Sequence, residues 1–143
     1  MMLAPFIGAA MLVVTAVVES VVIAVAAGAL ERAEPRLSRL PRFFRLVAVM
    51  SPLSLWLLFV GVGSAIWLWA TLLIELGEFD AYLPAVYFTS VSATTLGYGD
   101  SVLSSNWQLL SGFIAANGLL LFSLNTAFLF EALRRMNDTE QKQ

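Results

Sequence analysis

The chain has no cysteine and no histidine. Disulfides, Cys/His zinc sites and imidazole-based catalysis are thereby excluded by residue type alone. Charge is scarce too. Asp, Glu, Lys and Arg make up 13% of the 143 residues, against about 25% in a soluble domain. The net charge of -2 is small and no long basic run marks nucleic acid as a partner. No nucleophile–base pair and no metal-ligand cluster stands out, so an enzyme is the least supported class. What fills the chain instead is apolar: 59% of its residues are hydrophobic, where about 45–50% is usual. That excess is too large for a globular core and points to a protein whose own surface is apolar.

The apolar residues are gathered in three stretches. The first, 2–30, holds a single charge, Glu19; the second, 46–76, is uncharged until Glu75; the third, 107–130, carries no charge at all. Crossing a hydrocarbon core about 30 Å thick takes about 20 helical residues at ~1.5 Å each. All three stretches are long enough, and lipid offers no partner to backbone N–H and C=O, so each is expected to be a helix. The first has no basic n-region and is longer than the ~7–15 apolar residues of a secretory signal, so it reads as a retained span.

The eight basic residues fall in two places. Arg32, Arg36, Arg39, Arg42 and Arg45 lie between spans one and two; Arg134, Arg135 and Lys142 follow span three. Between spans two and three there is no basic residue, only Glu75, Glu78, Asp80 and Asp100. Lys and Arg in short loops stay cytoplasmic. The expected topology is N-terminus outside, linker inside, acidic segment outside and C-terminus cytoplasmic. The linker, 31–45, mixes Arg with Leu and Phe and suits a short interfacial helix, interrupted by Pro35 and Pro41, whose Arg heads reach lipid phosphates. From Arg36 to Arg45 the Arg residues recur every third position, the spacing of a voltage-sensing ladder. Charge does work on the field only from inside it, and this ladder lies outside the uncharged spans. An anchor is therefore the favoured reading.

In the acidic segment, 83–94 suits a short helix with Pro84 in its first turn, where the missing N–H costs nothing. Twelve helical residues reach only ~18 Å, so this helix must dip into the membrane and return. Non-helical backbone at membrane depth survives only where protein buries it or water lines it. A re-entrant helix followed by Gly97 and Gly99 therefore implies a pore. Both glycines allow positive φ without a Cβ penalty; elsewhere, a lone Gly-x-Gly would mark only a tight turn.

The run Thr94-Thr95-Leu96-Gly97-Tyr98-Gly99-Asp100 resembles the filter signature of the potassium-channel family, with Leu96 where Val or Ile is commoner. The resemblance covers about 47–135, and the extra N-terminal span is similar to that of small bacterial three-span channel proteins. It implies an all-α membrane protein: outer helix, re-entrant pore helix, filter and inner helix, plus one N-terminal transmembrane helix. The corresponding divisions are 1–30, the basic linker 31–45, a pore domain 46–135 and a tail 136–143. It further implies a homotetramer in the cell (inner) membrane that passes potassium ions through a ring of backbone carbonyls. Ions would be held at Thr95, Leu96, Gly97 and Tyr98, with Gly99 completing the filter and the Thr95 hydroxyl as innermost ligand. Lipid, further copies of the chain and the permeant potassium ion are the expected partners, with no other cofactor.

Filter support is expected from Thr94, Asp100, Tyr87, Phe88 and Val91. Several potassium channels carry a Glu at the position of Val91, paired with the Asp that follows the second filter Gly. Val91 has no hydrogen-bonding group, so Asp100 needs a Trp or Tyr side chain, a backbone N–H or water, with Thr89, Ser90 and Ser92 as nearby donors, and the filter is expected to lean on packing of Leu96 and Tyr98 against Tyr87 and Phe88. Along the third span Trp107 is placed as an interfacial aromatic. The family's cavity face falls on Ala116, Leu120, Ser123, Ala127 and Glu131, at helical spacing. The family's hinge Gly falls at Leu119, one residue from the actual Gly118. In another register Asn117 and Asn125 line the cavity; otherwise they bond between helices. Glu19 is either a functional intramembrane carboxyl or a protonated group bonded to a neighbouring Ser or Thr. The residues after Glu131 are too few for a folded regulatory module, so a gate is expected in the spans, the filter, lipid contacts or a partner. A weakly selective cation channel and a non-conducting regulatory subunit of another channel are the competing readings.

Overall fold

The computed structural model describes residues 3–37 and 41–140. Its elements are α1 (Ala4–Leu37), α2 (Arg42–Trp56), a π-helical segment (Leu57–Val62), α3 (Gly63–Glu75), α4 (Tyr82–Ala93) and α5 (Leu109–Glu140), with no strand among the described residues. The π-helical segment joins α2 to α3 without a break, so three helices are long and apolar enough to cross a membrane: Ala4–Ala33, Arg42–Glu75 and Leu109–Asn137. The chain is an all-α protein of membrane-spanning type. At 34 residues the middle span is ~51 Å long, well beyond a ~30 Å hydrocarbon core. It must tilt or project from the membrane.

The basic stretch differs from the expected interrupted interfacial helix. The α1 helix continues through Pro35 to Leu37. So near the helix end, the hydrogen bond Pro35 cannot donate weakens only the last turn. Pro41 is the N-cap of α2, with extended backbone (φ -55°, ψ 147°), where a missing N–H is one of the helix's unpaired donors in any case. Arg39, like residues 38–40 as a whole, lies outside the described residues, as does the Arg36 side chain, so the ladder reading falls largely outside what is described. Arg42 donates to Asn137 Oδ1 (3.4 Å) and Arg45 to the Met136 carbonyl (3.3 Å). These cations thus meet the C-terminal part of α5, where a helix dipole favours positive charge.

Apolar packing forms two main layers. The outer one gathers Ala4, Trp69, Leu73, Phe88, Leu110 and Ile114 from four helices. The inner one gathers Val22, Ala26, Leu53, Leu57 and Ala132. The rest of α1 carries exposed valines at Val13, Val17, Val21 and Val25. A helix apolar all round is unsuited to water but needs no cover in lipid. Trp56 adds a polar tie, donating from Nε1 to the Val22 carbonyl at 3.2 Å.

Candidate functional site

α4 starts after an extended Ala81 and holds Pro84 in its first turn. It ends in a tightly bonded hook. The Thr94 hydroxyl donates to the Ser90 carbonyl (2.8 Å), Thr95 N–H to Ser92 O (2.9 Å), and both Leu96 and Gly97 N–H to Val91 O (3.0 and 3.2 Å). From this hook the backbone takes positive φ at every second residue: Thr95 (59°), Gly97 (54°) and Gly99 (78°). In a regular strand successive carbonyls point to opposite sides. Alternating the hand of the backbone residue by residue turns them toward one side. The two glycines do this without strain. Thr95 does not: a left-handed conformation costs an L-residue with a Cβ roughly 1–2 kcal/mol. Such an outlier at the base of a Gly-containing loop marks a functional constraint, and no sequence signal pointed to it.

At the outer end Tyr87 OH donates to Asp100 Oδ2 at 2.7 Å. Tyr is one of the donors expected for Asp100, and Tyr87 is the one that reaches it. Donating to a carboxylate holds the Tyr87 phenol above its ordinary range, since losing its proton would set two anions side by side. Glu78 makes a second tie that the sequence did not suggest. Its two carboxylate oxygens accept from Ser104 N–H (2.7 Å) and Ser104 Oγ (2.6 Å), joining the loop before α4 to the loop after the hairpin. Val91 lines a cavity of about 170 Å³ between α4 and the returning chain, together with Tyr87, Gly97, Asp100 and Gln108.

Leu96 and Tyr98 are 55% and 67% exposed. Both keep most of their surface open on one chain, and Tyr98 lies near enough to Tyr87 to bear on its phenol. Phe88 is buried beneath Phe79, ring centroids 5.5 Å apart, and Tyr87 is engaged with Asp100. The whole run Thr94–Asp100 is exposed on the single chain.

On α5, Ala116, Leu120, Ser123 and Ala127 are exposed, with Leu119 and Leu124 beside them. Glu131 is half-buried and accepts from Arg135 Nε at 2.9 Å. Asn117 and Asn125 are buried on the other side. Asn117 accepts from Trp69 Nε1 and donates to Thr15 Oγ1, both at 2.8 Å. The alternative register, with both Asn residues on the cavity face, is therefore not adopted. Gly118 faces α4, where a Cβ would run into the Ala93 backbone carbonyl; its lack of a side chain seats α5 against the end of α4. Trp107 packs, half-buried, on the outer apolar layer.

Glu19 is fully buried, and its carboxyl lies against Gly61 of the π-helical segment. The expected bond to a neighbouring Ser or Thr is not made. Thr15 donates to Met11 O and accepts from Asn117, Ser20 donates to Ala16 O, and neither Glu19 oxygen has a hydrogen-bond partner.

A family model described as an ion channel matches residues 53–135, from within α2 to within α5, including the whole α4 hairpin. No curated protein and no solved structure matches the chain.

Proposed function

We propose, from the premise that this chain belongs to the ion-channel family whose model covers residues 53–135, that it is a potassium-selective pore subunit working as a homotetramer. The observation that carries this reading is the alternating backbone hand at Thr95, Gly97 and Gly99. A potassium ion entering a narrow pore loses water and needs oxygen ligands in its place. Carbonyls turned to one side by that alternation supply them from Thr95, Leu96, Gly97 and Tyr98. The Thr95 hydroxyl adds the innermost ligand. The C-terminal end of α4 opens into this loop, so its dipole favours a cation beneath the filter.

One chain gives one side of such a ring. Closed cyclic symmetry makes the rest from identical copies, and four copies close the ring. Exposed Leu96 and Tyr98, and the exposed α5 face at Ala116, Leu120, Ser123 and Ala127, support this arrangement. The first two would pack on a neighbouring subunit and the second would line a central cavity, with Glu131 toward its inner mouth. The Lys and Arg distribution supports an inner-membrane topology with the N-terminus outside and the C-terminus cytoplasmic.

A second reading, a weakly selective cation channel, draws on one observation. Val91 brings no polar group to the cavity that Tyr87, Asp100 and Gln108 also line, so the proposed filter lacks one tie that a polar residue there would add. Purified chain in liposomes distinguishes the readings. Potassium-driven uptake without sodium-driven uptake supports selective conduction. Uptake of both ions supports the weak filter, and uptake of neither would mark a subunit that needs another pore protein.

A further inference from the structure

Three acceptor oxygens are buried where α1, the π-helical segment and α5 meet, and none has a donor: Glu19 Oε1, Glu19 Oε2 and Asn125 Oδ1. The Asn125 side chain lies beside the Glu19 carboxyl. Among the residues whose side chains are described, the other Asp, Glu, Lys and Arg of the packed elements lie toward their ends: Glu31 and Arg32 on α1, Arg42, Arg45 and Glu75 on the middle span, Glu131, Arg134 and Arg135 on α5. Gly61 makes room for the carboxyl, since a Cβ there would stand 2.7 Å from both of its oxygens. An ionised carboxylate brings acceptors only, and burying it unpaired is costly. A single proton changes the arithmetic. It removes the buried charge and turns one Glu19 oxygen into a donor.

We propose that Glu19 is a proton-binding site, that the packing of α1 on α5 seen here is its protonated state, and that release of the proton to water loosens this packing and changes conduction. The last clause rests on the channel reading above. Two features couple the site to the pore. Asn125 is on α5, flanked along the chain by exposed Ser123 and Ala127, so a shift at Asn125 moves the inner helix. Gly61 belongs to a π-helical segment, and such segments in α-helices often sit at functional sites. The Gly61 carbonyl accepts from Ser64 Oγ at 2.8 Å. An ionised Glu19 would draw in water or push away from this segment, and either response separates α1 from the helices behind it.

Infrared titration of the full chain in liposomes, compared with Glu19→Gln, tests the site without any reference to conduction. A protonated-carboxyl band should be present at neutral pH, should be missing in the Gln variant, and should fade as the medium is made alkaline. Carbodiimide labelling of the unaltered chain gives an independent readout. Mass spectrometry should find Glu19 modified, and less so as pH rises. Potassium flux should change several-fold between neutral and alkaline pH, while Glu19→Gln keeps its neutral-pH flux in both. A Glu19 that shows no band and no labelling at neutral pH would overturn the site. Equal pH profiles in the two proteins would overturn the coupling. A normal band with no flux at any pH would sink the channel reading while leaving the proton site standing.

Discussion

Asp100 poses the sharpest problem at the scale of single residues. It follows Gly99, has no carboxyl partner at Val91, and takes the Tyr87 hydroxyl instead at 2.7 Å. Removing that hydroxyl with Tyr87→Phe should leave the oligomer intact and shorten the open periods of single channels, because the outer end of the hairpin loses its tie to α4. The bond also sets a pH dependence. The Tyr87 phenol is held above its ordinary value by donating to Asp100. Its contribution is therefore full below the usual phenol pKa of about 10 and is lost only as pH rises through the higher value of the folded protein. Open periods of the unaltered protein should be steady up to about pH 10 and then fall toward those of Tyr87→Phe, which should itself show no such fall. Similar open periods in the two proteins near neutral pH would rule this tie out. The chemistry of Asp100 was legible in the sequence, since a carboxylate beside an apolar Val91 must find a donor. The choice of Tyr87 was not, because it depends on how the chain returns past α4. The positive φ at Thr95 was hidden for a different reason: a β-branched residue avoids that region unless surrounding structure imposes it.

Helices were the easiest elements to read. Length and hydropathy placed three spans, and a helix expected at 83–94 is found at Tyr82–Ala93. Membrane helices announce themselves because an unpaired backbone has nowhere else to bond. The π-helical segment left no trace, since Leu57–Val62 reads as ordinary apolar helix. Pro35 misled because a proline signal says nothing about how close the helix is to its natural end. Gly118 drew attention by lying one residue from the family's hinge position, yet its structural work is close packing on Ala93. Gly118→Val should therefore push α5 from α4. Overpacking typically costs ~1–3 kcal/mol, and a backbone carbonyl is a poor group to displace. A thermal melt of the purified oligomer should show a clear loss, whereas Leu119→Val, at an exposed position, should melt close to the parent. If Gly118→Val keeps the parent's melting temperature, the seating described here is wrong.

On the channel reading proposed above, a single chain is only part of the whole molecule. The run Thr94–Asp100, the outward face of α5 and the valine face of α1 are all exposed, and the proposed pore would share these surfaces between copies and lipid. The absence of cysteine makes topology simple to test. Single cysteines at Asp80, Glu31 and Gln143 should respond differently to an impermeant thiol reagent applied outside intact cells. Asp80→Cys should react, and Glu31→Cys and Gln143→Cys should be protected, as the Lys and Arg distribution requires. Labelling of Glu31→Cys from outside would invert the assignment. The central claim is that this chain alone, through the backbone of Thr95–Gly99, passes potassium and holds back sodium. Purified protein in a planar bilayer, with potassium on one side and sodium on the other at equal concentration, tests it directly. The current should reverse only at a large voltage, negative on the potassium side, and Gly97→Ala should abolish it while the oligomer persists. A reversal potential near zero would contradict the claim.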